Sequence, residues 1–159
     1  MSEILENKAQ ADCEVEASVV SRRKPVEVHN IRPAGQTAQV VTVTGGAGGY
    51  RRTPCGGCPW VQENAGDFPA EAFRHSANTA HDMSTHRFAC HESGVHNPAT
   101  CAGFLLRGAE HNLSIRLARM EGVIGDDVRP DGRALFEDYR SMAIAHGVDP
   151  HDPAIRGCR

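Results

Sequence analysis

The run Pro54-Cys55-Gly56-Gly57-Cys58-Pro59-Trp60 constrains this chain more than any other segment. A gap of two residues lets both thiolates turn toward one small cation, so the run is half of a zinc or iron–sulfur site. The flanking prolines stiffen the turn, and the paired glycines leave room for backbone N–H groups to approach sulfur. A looser second pair, Cys90 and Cys101, has to be brought to the first by the fold.

Zinc has no geometric preference from its d-electrons and accepts four thiolates in a tetrahedron. Cys55, Cys58, Cys90 and Cys101 are therefore the expected ligands, with His91 or His96 as substitutes for Cys90 or Cys101. A [4Fe-4S] cluster would use the same thiolates and is the alternative, although the ligand spacing matches neither the bacterial nor the plant pattern. A third reading is a thiol oxidoreductase using Cys55 and Cys58, which needs a reactive thiolate at a helix N-terminus. Pro59 would then sit inside that helix, which counts against it. No catalytic residue and no organic cofactor site is assigned, and a non-enzymatic role is preferred.

The remaining composition sets limits. A chain of 159 residues that is 40% hydrophobic can bury one core, but five Phe, two Tyr and one Trp make that core largely aliphatic. A net charge of −3 excludes a global field for nucleic acid. The N-terminal stretch is polar and no segment approaches about 18 uninterrupted apolar residues, so a soluble cytoplasmic protein with no membrane span is expected. In a reducing compartment six cysteines suggest metal ligation over disulfides. Cys13 and Cys158 fall in expected tails and are read as free thiols.

Along the chain, residues 1–24 read as a flexible tail. Val26 to Ile31 and Gln39 to Thr44 alternate as strands, and Pro33-Ala34-Gly35 supplies a turn for a hairpin. Gly45 to Gly49 resembles a phosphate loop but lacks the Gly-Lys-Ser/Thr ending, so it reads as a connector. A helix is predicted from Pro69 to near His81, and a short strand over Arg87 to Cys90. A long helix is predicted from Thr100 to Glu121 on the stripe Leu106, Ala109, Leu113, Leu117 and Met120, with Phe104, Leu105 and Ile115 off it. The last helix is predicted from Gly132 to His146 with Asp131 as N-cap and Gly147 just past its end. Residues 149–159 read as a tail. The expected fold is α+β: a small single domain over 25–148, with an N-terminal β-hairpin and a Cys-rich metal knuckle packed on two or three helices.

Pro54-Cys55-x-x-Cys58-Pro59-Trp60, Phe68-Pro69, Phe73, Phe88-x-Cys90-His91, Cys101-x-Gly103, Asn112 and Arg116 resemble a family of small actinobacterial and phage proteins known only as a domain of unknown function. The resemblance covers about Pro54 to Met120 and implies that these cysteines, His91 and the aromatics form one module. It brings no activity with it. The functional expectation is a zinc-binding regulatory or binding module, possessing a protein partner in preference to nucleic acid. Nucleic acid would have to be held through Arg51 and Arg52, with Arg22, Arg23 and Lys24 near them; a protein would use Phe104, Leu105 and Ile115. Trp60 is expected to shield the sulfurs and to pack on the Leu106 to Leu117 face.

Overall fold

The computed structural model describes residues 26–36, 38–45 and 49–159. The expected tail at 1–24, with Cys13 and the Arg22 to Lys24 cluster, lies outside the described residues, as do Gly46 to Gly48 of the connector. Strands β1 (Glu27–Pro33) and β2 (Gln39–Thr44) form the expected hairpin, closed by Ala34 N–H donating to Ala38 O at 2.8 Å. Gly35 takes φ +108° in that turn, a conformation that glycine adopts without steric cost. A third strand, β3 (Arg87–Phe88), pairs antiparallel with β2 at Thr42 and Val43, giving the order β1-β2-β3. The α+β class holds: one three-stranded antiparallel sheet and four short helices.

Helix α1 (Ala70–Ser76) starts after Pro69 and continues as a 3-10 turn to Ala80. Phe73 is its buried anchor. The long helix predicted over 100–121 is instead two, α2 (Ala102–Arg107) and α3 (Leu113–Met120). Gly108 N–H closes α2 on Phe104 O at 2.8 Å, and Asn112 restarts the chain as the N-cap of α3, its Oδ1 accepting from Ile115 N–H at 3.1 Å. The same amide donates to Thr79 O and His86 O, so the break ties three segments together. The apolar stripe is corrected with it. Leu117 and Met120 are 47% and 83% exposed, while Phe104, Leu105 and Ile115 are core residues and cannot form the expected partner surface.

The last helix is shorter than predicted. Asp131 (φ 54°) and Gly132 (φ 72°) form a turn, and α4 (Tyr139–Ala145) is capped by Asp138, whose carboxylate accepts from Ser141 N–H at 2.7 Å in a reciprocal capping box. Ala134 to Phe136 instead run beside Val61, with Gln62 N–H donating to Ala134 O and Phe136 N–H to Trp60 O. Residues 149–159, read as a tail, pack across the end of α1. Ile155 is fully buried, Arg74 pairs with Asp152 at 2.7 Å, and Cys158 Sγ donates to Ala77 O at 3.3 Å. Cys158 is therefore a buried thiol rather than a tail thiol.

Trp60, Phe73, Phe104, Ile115, Tyr139 and Met142 fill the centre of the core. Trp60 is wholly buried against Phe88, Phe104 and Tyr139, with Gly103 and Gly108 against its side chain, so it packs on α2 and the break that follows it. Among the described residues no helix is long and apolar enough to cross a membrane.

Candidate metal centre

The knuckle is a turn. Cys58 N–H donates to Cys55 O at 3.1 Å and Val61 N–H to Cys58 O at 3.0 Å, which curls the chain so that both thiols face inward. Two side chains hold its carbonyls from outside. Asn64 Nδ2 donates to Cys58 O at 2.9 Å and to Gly56 O at 3.2 Å, and Arg133 Nη1 donates to Cys55 O at 2.7 Å.

The second pair comes together through a short ladder. Cys90 N–H donates to Ala99 O at 2.8 Å and Cys101 N–H to Phe88 O at 2.9 Å, on either side of the Ala89 and Thr100 bridge. Opposed residues share a face and alternate residues share a face, so Cys90 and Cys101 both project on the same side. Both have extended backbone angles and each stands just before an element, Cys90 before the 3-10 turn His91–Ser93 and Cys101 before helix α2, with its side chain left free of capping. Ser93 closes the intervening loop by donating to Cys90 O and accepting from Ala99 N–H.

All four thiols are buried. Cys55 lies against Cys58 and Cys90, and Cys58 lies against Cys101 with the sulfurs 3.7 Å apart. With zinc–sulfur bonds of about 2.3 Å, the edge of a tetrathiolate tetrahedron is about 3.8 Å. Cys55, Cys90 and His91 offer ligand atoms that all lie within 4.8 Å of one another, so this trio alone could hold a metal ion. His91 is exposed, with Nδ1 3.6 Å from Cys55 Sγ. Gly57 makes that approach possible, because a Cβ there would lie 3.3 Å from His91 Nε2. His96 is exposed and lies outside this group.

Cys55, Cys58 and Cys90 resist ionisation. The Cys58 thiol, then burial, pushes Cys55 up to about 12; the Cys101 thiol, then burial, does the same to Cys58. Cys90 is raised as well, first by its contact with Cys55. This is the reverse of the depressed thiolate a thiol oxidoreductase needs, and no α-helix starts at Cys55 or Cys58. A cation that replaces the protons supplies the missing stabilisation of the thiolates. The donor set fits a thiophilic ion.

Arg51 and Arg52 flank the knuckle, each beside a carboxylate: Arg51 is 3.3 Å from Glu92, and Arg52 is 2.5 Å from Asp127. Tyr50 joins the second pair by donating to Asp127 at 2.6 Å. Arg133, Asn64 and Ser93 were not legible as site residues, since each acts on a backbone carbonyl and none belongs to a spacing motif.

The model of one protein family, described as a family of unknown function (DUF6283), matches residues 50–159. The match is wider than the Pro54 to Met120 core and takes in α4 and the C-terminal segment, leaving the β1-β2 hairpin before it. No curated protein and no solved structure matches the chain.

Proposed function

The chain belongs to the DUF6283 family, and because that family carries no function to transfer, we propose one from this chain's own residues: a binding module stabilised by one zinc ion. Cys55, Cys58, Cys90 and Cys101 are the proposed ligands, with His91, beside Cys55, as the substitute for Cys90 or Cys101. The observation that carries the reading is the contact series Cys90, Cys55, Cys58, Cys101, which joins thiols from the knuckle and from both strands of the ladder. A single ion there would cross-link the knuckle to the start of α2. In a domain of short helices that link is a folding interaction in its own right.

The spacing favours a mononuclear centre over the iron–sulfur alternative. A cubane cluster puts each thiolate on a different iron atom and holds the sulfurs far apart, whereas Cys58 and Cys101 are at the edge length of a single-ion tetrahedron. A protein is the proposed partner. Arg51 and Arg52 each already face a carboxylate, which lowers their value as a phosphate clamp.

Anaerobic purification followed by elemental analysis and an absorption spectrum tests the reading. One zinc per chain with no visible absorption is expected. Stoichiometric iron with visible charge-transfer bands would replace it with the cluster.

A further inference from the structure

The four thiols meet as a series of contacts and not as a symmetric group. Cys58 and Cys101 have their sulfurs 3.7 Å apart, and the sulfurs of Cys55 and Cys90 lie within 4.8 Å of each other. Cys55 lies against Cys58 inside the knuckle turn. Cys90 and Cys101 stand at the two ends of the series, as diagonal neighbours across the Ala89 and Thr100 bridge. Diagonal positions of a ladder are about 7–8 Å apart, beyond the Cα separation of about 4.4–6.8 Å that a disulfide usually spans.

Four cysteines can pair in three ways, and the contacts select one of them. Joining Cys55 to Cys58 strands Cys90 and Cys101, which stand too far apart to join. Joining Cys55 to Cys101 and Cys58 to Cys90 uses none of the contacts. Joining Cys55 to Cys90 and Cys58 to Cys101 uses both outer contacts, and each bond ties the knuckle to the ladder. Those are the segments that a single ion would link. Cys55 is the most exposed of the four thiols, at 6%, and stands beside the exposed His91, while Cys58 is wholly buried. An oxidant from solvent therefore meets Cys55 first.

We propose that the centre is a redox switch, in which a peroxide converts the four thiolates into the disulfides Cys55 to Cys90 and Cys58 to Cys101 and so frees the ion from a domain that stays folded. The proposal rests on the four-thiolate reading. In each half of the reaction one thiolate attacks the O–O bond, giving a sulfenic acid and hydroxide. The partner thiolate then displaces hydroxide from that sulfur and the S–S bond forms. Two electrons pass from each sulfur pair to one peroxide, which takes up two protons and leaves as two waters. Zinc has no redox chemistry and departs unchanged once its ligands are spent.

The test adds hydrogen peroxide in steps to the full chain as purified, beside an untreated control, with a weak chromophoric zinc chelator present. Disulfides are mapped by mass spectrometry of the alkylated, unreduced digest. Expected are zinc release with about two peroxides consumed per ion, the two named disulfides, and a far-ultraviolet circular dichroism spectrum like that of the control. Dithiothreitol and added zinc should then restore the metal content. Zinc retained through excess peroxide, a bond between Cys55 and Cys58 as the main product, or loss of the folded spectrum overturns the switch and leaves the metal centre standing. A chain that carries no zinc and takes none up overturns both.

Discussion

The indole of Trp60 occupies the space that a side chain at Gly108 would need, since a Cβ there would fall 2.3 Å from Trp60 Cη2. Gly108 has φ −117°, which any residue adopts, so glycine is required for volume and not for backbone freedom. Overpacking a full core costs about 1–3 kcal/mol. Gly108→Ala is expected to lose at least that much in urea denaturation of the metal-loaded protein and to shift Trp60 emission to the red. Wild-type stability in this variant would mean that the ring does not fill the break between α2 and α3.

Four buried thiols joined in one contact series, Cys90, Cys55, Cys58 and Cys101, should behave as one unit if a single ion binds them. Cys55→Ser, Cys58→Ser, Cys90→Ser and Cys101→Ser are each expected to lose stoichiometric zinc. Structural zinc contributes on the order of 10 kcal/mol to small domains, well above ordinary point substitutions. Cys158→Ser should keep the metal, since that thiol lies apart from the four and meets only the Ala77 and Ala154 carbonyls, which a hydroxyl can also meet. His91→Ala should also keep it, the ring being exposed and outside the tetrathiolate. Elemental analysis of each purified variant checks the pattern, and full zinc in two of the four cysteine variants would end the tetrathiolate assignment.

How much of this was legible before the structure depends on the range of the signal. The knuckle is local, so its spacing and prolines announced it. The hairpin was legible from alternation and a turn tripeptide. The break between α2 and α3 was not, because Ala109 and Leu113 continue a helical stripe that Gly108 and Asn112 interrupt for tertiary reasons. The segment 149–159 looked like a tail because of its prolines and charge, yet Asp152 both caps the 3-10 turn Pro153–Ile155 and pairs with Arg74. That role depends on a partner in α1, which no local pattern contains.

Arg133 reaches the knuckle from the turn after Asp131-Gly132 and holds the Cys55 and Gly56 carbonyls. Groups that fix the backbone of a metal ligand typically change affinity by about 10–100-fold when removed. Arg133→Ala is therefore expected to weaken zinc binding by about tenfold in a competition with a chromophoric chelator, with one zinc per chain still bound at saturation. An unchanged affinity would show that Cys55 is oriented by the turn alone.

His146 links the end of α4 to the chain on either side of the 3-10 turn after the knuckle. Its Nε2–H donates to Pro59 O at 2.9 Å, Gly66 N–H donates to its Nδ1 at 3.1 Å, and its ring stacks on Phe73. These partners demand the neutral ring, because a proton on Nδ1 would face the Gly66 N–H. Burial, opposed by the Pro59 carbonyl and Asp67, holds the imidazole below its ordinary 6.5. The unfolded chain then takes up a proton before the folded one as pH falls. Stability from His146 is present above about 6.5 and declines as pH drops through the folded value. Gln can imitate both hydrogen bonds without titrating, so the stability difference between wild type and His146→Gln should shrink between pH 7.5 and pH 5.5. Denaturant unfolding of both proteins at the two pH values measures it, and comparing them at equal pH cancels proton effects on the cysteines. A gap that stays constant would place His146 outside the pH response of the fold.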